Sequence, residues 1–250
     1  MLLKDKVIIV TGGGRGIGAA IVRALAREGA QVAINCCTST DKAETLACAI
    51  ADYGGRAKAY CCDIRDPAAV KRMVEEVVQD FGRIDAVINN AISGISFQPV
   101  ENTIWPDYLN SFDFSTKAVL NTLFAVRPFM KQQGGGRIIN IVTDCWNSAG
   151  PNTSVYVSGK GAMVGLSRSL AAELGPENIT VNMVAPGWMK DDKVGPEVDT
   201  TEFVKQVPLG RQGDAEEIGN ACVFLASDLA GFITGAYIPV CGGIVRQMGS

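Results

Sequence analysis

Histidine is absent from all 250 residues of this chain. That excludes every Ser-His-Asp or Cys-His nucleophile and every His-ligated metal site. Acid–base chemistry must then run on tyrosine, lysine, cysteine or a carboxylate. No CxxC pair occurs either. The eight cysteines include the neighbours Cys36–Cys37 and Cys61–Cys62, which read as strand-end residues rather than a disulfide framework. Reduced thiols, a cytoplasmic location and no metal site are the expectation. Lys/Arg-rich blocks are missing and the formal net charge is −3, so nucleic acid is not expected as a partner. No apolar run is long enough to span a bilayer, and Lys4, Asp5 and Lys6 spoil a signal-peptide reading, so no membrane partner is expected.

What the chain does have is 47% hydrophobic residues in an alternation of strand and helix patterns from end to end, with no polar linker. The strands are expected near 7–10, 31–35, 57–62, 86–91, 137–143, 180–187 and 237–241. Helices are expected between them: from Ile17 to a stop at Gly29, then 41–53, 67–81, a long one over 101–132 with Pro106 at its start, 155–174 and 214–226. Residues 188–212 lack a clear period and read as a mobile lid. Strands separated by helices of this length imply an α/β fold with a doubly wound parallel sheet and right-handed crossovers, in a single domain spanning 1–250.

The stretch KVIIVTGGGRGIG, Lys6–Gly18, organises the rest. Val7, Ile8, Ile9 and Val10 read as a strand buried on both faces, followed by a glycine turn and an amphipathic helix. Glycines let the backbone approach a pyrophosphate, and the helix N-terminus adds N–H groups and a positive dipole end. Gly12, Gly14, Arg15, Gly16, Ile17 and Gly18 are therefore candidate dinucleotide contacts, the plain alternative being a tight turn with close helix packing. A second constellation is Tyr156 and Lys160, an i, i+4 pair on the helix after the fifth strand. An ammonium beside a phenol favours phenolate, which makes a general acid–base without histidine. Such pairs are also ordinary helix-surface neighbours; placement near the crevice at the strand ends is what favours chemistry.

TGGGRGIG at 11–18, NNA at 89–91, YVSGK at 156–160 and APG at 185–187 come in the order of the short-chain dehydrogenase/reductase family, which the chain resembles over essentially its whole length. PLGR (208–211), FLAS (224–227) and ITGAYIPVCGG (233–243) resemble its C-terminal part. The texture is most similar to the 3-oxoacyl-[acyl-carrier-protein] reductases. The resemblance implies a Rossmann fold, a homotetramer and hydride transfer between nicotinamide and a carbonyl carbon. It implies Tyr156 as acid–base, Lys160 lowering the Tyr156 pKa and holding the nicotinamide ribose, and Thr143 orienting the substrate oxygen in place of the usual serine. Asp63 and Ile64 would flank the adenine and Asn90 the adjoining ribose, with Ala91, Pro186 and Gly187 as further cofactor contacts.

Cofactor choice turns on the end of the second strand, where NAD-preferring relatives carry an acid for the ribose 2′-hydroxyl. Here Cys36 stands there, followed by Cys37, Thr38 and Ser39, with Arg15 able to reach a 2′-phosphate. NADP(H) is preferred on this reading, with NAD(H) the alternative. Three departures from the family pattern stand out: Ser115 where a relay asparagine is usual, Ile92 for glycine, and Asp191 for a nicotinamide-holding threonine. The expected function is reduction of a ketone or 3-oxoacyl group. The alternatives are dehydrogenation of a small secondary alcohol, or a cofactor-binding protein with little or no turnover.

Overall fold

Val7–Val10 forms β1, and all four side chains are buried. Alternation sends Val7 and Ile9 to one face of the sheet and Ile8 and Val10 to the other, so both faces need cover. The computed structural model describes residues 1–92, 94–190 and 199–244, Ser148 in its backbone only. After β1 come α1 (Gly16–Arg27), β2 (Gln31–Cys36), α2 (Thr40–Ala51), β3 (Arg56–Cys61), α3 (Pro67–Phe81) and β4 (Ala86–Asn89). The second half runs through α4 (Trp105–Phe112), α5 (Ala118–Gln132), β5 (Gly136–Ile141), α6 (Cys145–Ser148), α7 (Ser154–Leu174) and β6 (Ile179–Pro186). It closes with β7 (Met189–Lys190), α8 (Thr201–Lys205), β8 (Gly213–Asp214), α9 (Ala215–Ala226) and β9 (Tyr237–Val240).

Seven strands form one sheet in the order β3-β2-β1-β4-β5-β6-β9, every neighbouring pair parallel. The chain winds outward from β1 and returns to β4 on its other side, so the switch point lies between them. The doubly wound parallel sheet is thus observed. On one face α1 and α9 lie so close that a Cβ on Gly219 would fall 2.7 Å from Ala24 Cβ. On the other, Met73 and Val77 of α3, Val126 and Met130 of α5, and Leu170 and Leu174 of α7 pack with Val7, Val87 and Val181 of the sheet. Asp66 caps α3 through Ala68 N at 2.9 Å and Ala69 N at 3.3 Å, Pro67 takes its first turn, and Gly82 ends it at φ 83°.

The elements differ from the sequence reading where they meet the cleft. β4 ends at Asn89 rather than Ala91, because the N–H groups of Asn90 and Ala91 leave the ladder for Thr11 Oγ1 at 3.0 and 3.1 Å. β5 ends at Ile141, and Thr143 beyond it receives the Cys145 N–H on its hydroxyl at 3.2 Å. β6 ends at Pro186. The long helix expected over 101–132 is broken: Asp107 Oδ2 takes Ile104 N at 3.0 Å, which starts α4 at Trp105. A π-helical turn over Asp113–Lys117 then separates α4 from α5 and buries Phe114 and Ser115. The stretch 188–212 is not featureless, since β7 pairs with β8 and α8 lies between. Asp191, Asp192 and Val194 lie outside the described residues.

Candidate active site

Thr11, at the end of β1, sits under the glycine turn and fastens it to β4. Its hydroxyl donates to Ile88 O at 3.4 Å, while the Asn90 amide donates to Thr11 O at 3.0 Å and Gly12 O at 3.2 Å. The turn is so closely packed that a Cβ on Gly18 would meet Gly12 O at 2.2 Å, and Gly12 adopts φ 64° against Ala91. Asn35 holds the other side: its Oδ1 accepts from Gly12 N at 3.4 Å, and its Nδ2 donates to Cys62 O at 3.1 Å. The Asn90 side chain is thus committed to the turn backbone.

A cleft of about 1050 Å³ opens over this edge of the sheet. Gly12, Gly14, Arg15, Ile17, Cys37, Thr38, Asp63, Ile64, Asn90 and Ala91 line one end, and Thr143, Tyr156, Lys160, Pro186 and Gly187 the other. Gly16 and Gly18 are buried behind the first group. Ser115 is buried on the π turn and does not line the cleft, whereas its neighbour Phe114 does. Ile92 faces the cleft as well. The residues fit a dinucleotide: a glycine cradle that a Cβ would fill, a helix start beside it, and polar groups at both ends. Among the described residues no group of three or more His, Cys, Asp or Glu could hold a metal ion, and no helix is long and apolar enough to cross a membrane.

At the far end α7 carries Tyr156 and Lys160 one turn apart. Its register is set by a buried chain of side chains: Thr122 Oγ1 donates to Asn89 Oδ1, Asn89 Nδ2 to Asn140 Oδ1, and Asn140 Nδ2 to Ser167 Oγ, each at 2.8 Å. Lys160 is 3% exposed and donates to Ile141 O at 2.6 Å. Burial pulls its ammonium down to about 8. Burial also pushes the Tyr156 phenol up to about 12, while its hydrogen bond with the Thr143 side chain acts the other way. This is opposite in sign to the expected lowering by Lys160, whose ammonium is turned to the Ile141 carbonyl instead.

Further residues stand at the cleft wall or behind it. Tyr237 donates to Thr143 O at 2.8 Å and steadies the strand end. The Phe97 ring lies 5.4 Å from that of Tyr156, and Trp188 meets Phe203 edge-on at 5.1 Å. Cys145, Thr153 and Gln206 complete that wall, and Arg65 stands at the glycine end. Phe97, Cys145, Thr153, Phe203 and Gln206 come from separate segments of the chain, so no local pattern announces them.

The family model described as enoyl-(acyl carrier protein) reductase matches residues 12–245. A 3-oxoacyl-[acyl-carrier-protein] reductase of Staphylococcus epidermidis is 37% identical over 246 residues, 96% of this chain and 99% of that protein. A 3alpha-hydroxysteroid dehydrogenase of Mediterraneibacter gnavus is 38% identical, over 97% of this chain and 98% of its own length. Among solved structures, a blue fluorescent protein from a metagenomic library in complex with NADPH superposes with a TM-score of 0.90 at 34% identity, covering 98% of this chain and all of that one. With its parallel sheet, glycine turn and YVSGK helix, the chain belongs to the short-chain dehydrogenase/reductase family and is an NAD(P)-dependent oxidoreductase resembling the 3-oxoacyl-[acyl-carrier-protein] reductases.

Proposed function

We propose that the protein reduces a ketone or 3-oxoacyl group to the alcohol with NADP(H). The observation that carries this is that Tyr156, Lys160 and Thr143 line one end of the cleft whose other end is the glycine cradle. The bound nicotinamide would supply the hydride. A phenol held up at about 12 keeps its proton at neutral pH, which suits a donor to a carbonyl oxygen as charge develops there. Thr143 orients that oxygen, and Lys160 holds the ribose and resupplies the proton by way of Ser115 and bridging water. Arg15, Cys37 and Thr38 receive the 2′-phosphate, Asp63 and Ile64 the adenine, Asn90 and Ala91 the ribose, and Pro186 and Gly187 the nicotinamide.

Phe97, Trp188 and Phe203 give the substrate end an apolar wall, which supports a ketone with an apolar substituent. Assembly as a homotetramer is part of the proposal. Exposed Trp105, Leu109 and Phe124 on α4 and α5, and Leu229 and Phe232 before β9, supply two separate apolar regions for symmetric contacts. The test is NADPH consumption by purified protein with a panel of free ketones and 3-oxoacyl thioesters. Turnover of any of these, lost in Tyr156→Phe, supports the reading; NADPH binding without turnover on the whole panel would leave a cofactor-binding protein.

A further inference from the structure

Arg65, two residues beyond Asp63, is fixed by its contacts at the glycine end of the cleft. Its guanidinium grips Asp63 as a fork: Nε donates to Oδ1 at 3.0 Å and to Oδ2 at 3.2 Å, and Nη2 donates to Oδ2 at 2.7 Å. The Arg65 backbone N–H adds a bond to Oδ1 at 2.9 Å. The ring of Phe114 lies under the guanidinium at 4.9 Å and holds its plane. Both side chains are only about a third exposed, at 38% and 35%. Asp63, Arg65 and Cys37 line the same cleft. At the Cys37 thiol, beyond the effect of burial, the carboxylate and the guanidinium act in opposite directions.

Cys37 follows the last residue of β2, where the ribose 2′ group of a dinucleotide is met. A bare carboxylate beside it would repel a 2′-phosphate and welcome a 2′-hydroxyl. We infer that Arg65 is a cofactor-selecting residue that works by neutralising Asp63, so that the cleft beside Cys37 accepts a 2′-phosphate. The inference rests on the NADP(H) reading above. Arg65 acts through Asp63 rather than as a phosphate ligand, because swinging onto the phosphate would break the fork and leave Phe114. The direct contact belongs to Arg15.

The test is a set of dissociation constants for NADPH and NADH, measured by calorimetry on wild type, Arg65→Ala, Asp63→Asn and the double variant. The ratio of the two constants is the readout, because a merely structural loss weakens both cofactors together. Wild type is expected to bind NADPH about tenfold tighter or more. Arg65→Ala should cut that ratio by about fivefold or more, and adding Asp63→Asn should bring it back to within about twofold of wild type. Asp63→Asn alone leaves the guanidinium uncompensated and should hold the ratio at or above that of wild type. Arg65→Gln, which keeps the Phe114 contact, replaces Arg65→Ala if that variant fails to fold. Equal affinities in wild type overturn the NADP(H) reading and the inference with it. A preference that survives loss of Arg65 overturns the inference alone, as does a double variant no better than the single, which would make Arg65 a direct ligand.

Discussion

Lys160 pays for its place in the site with a buried charge. The unfolded lysine keeps its proton to 10.5, the folded one only to about 8. Between those values the unfolded chain binds more protons, so stability rises with pH across that window. Lys160→Met should therefore raise the stability of the ligand-free protein at pH 7 by about 1–2 kcal/mol, after allowing for the donor lost by Ile141 O. It should also flatten the rise above pH 8 and abolish turnover. Thermal melts of both proteins at pH 7 and 9 check it; a lower melting temperature for the variant at pH 7 would be the contrary result. Tyr156→Phe removes one hydroxyl and leaves the cradle untouched. We expect kcat to fall by about 10²–10⁴-fold with the NADPH dissociation constant within about twofold. Wild-type turnover in this variant would refute the acid–base role.

Helix α7 meets α4 at a point where neither can widen. A Cβ on Gly159 would lie 2.1 Å from Ser111 Oγ and 3.0 Å from Ser111 O, between Tyr156 and Lys160. Gly159→Ala gains helix propensity of about 1 kcal/mol, but overpacking against the Ser111 side chain costs about 1–3 kcal/mol. The net expectation is a lower urea midpoint, recovered when Ser111→Gly is added in the same chain; a variant as stable as wild type speaks against the tight contact. On the π turn, Ser115 offers one hydroxyl where an asparagine would reach further. Ser115→Asn is expected to keep or raise turnover in steady-state assays, and a folded but inactive variant would end the relay account. These elements also mark what the sequence disclosed. VIIV, the glycine turn and the Tyr156–Lys160 spacing are local patterns, and β1, the turn after it and α7 stand where those patterns predict. The π turn was hidden because DFSTK differs in no local feature from an ordinary helical stretch. The Asp63–Arg65 fork was hidden because an i, i+2 pair meets only when the turn after β3 folds back.

Across the whole molecule, acid and alkali act on different groups. Glu177 is held down to about 2 by Arg127 and Lys131, and Glu217 to about 2 by Arg211 and the Asp214 N–H. Their folded values lie below the unfolded 4.5, so the stability they confer is present above that pH and lost as pH falls towards 2. Burial holds the phenols of Tyr60, Tyr156 and Tyr237 above their unfolded value of 10, so stability declines from there upward. Urea midpoints should fall on the acid flank, rise from about pH 8 as Lys160 loses its proton in the folded chain, and fall again above pH 10, and a midpoint that drops between pH 7 and 9 would contradict the assignment. The Thr11–Asn90 fastening has a further consequence, for synthesis. Its two partners are 79 residues apart in the chain. While the chain emerges from the ribosome, the glycine turn exists long before the strand that braces it, and the YVSGK helix arrives later still. A dinucleotide therefore meets a braced glycine turn only after β4 has been made. Binding to that braced turn stabilises the finished sheet over the unfolded chain, which ties the persistence of the completed protein to cofactor supply.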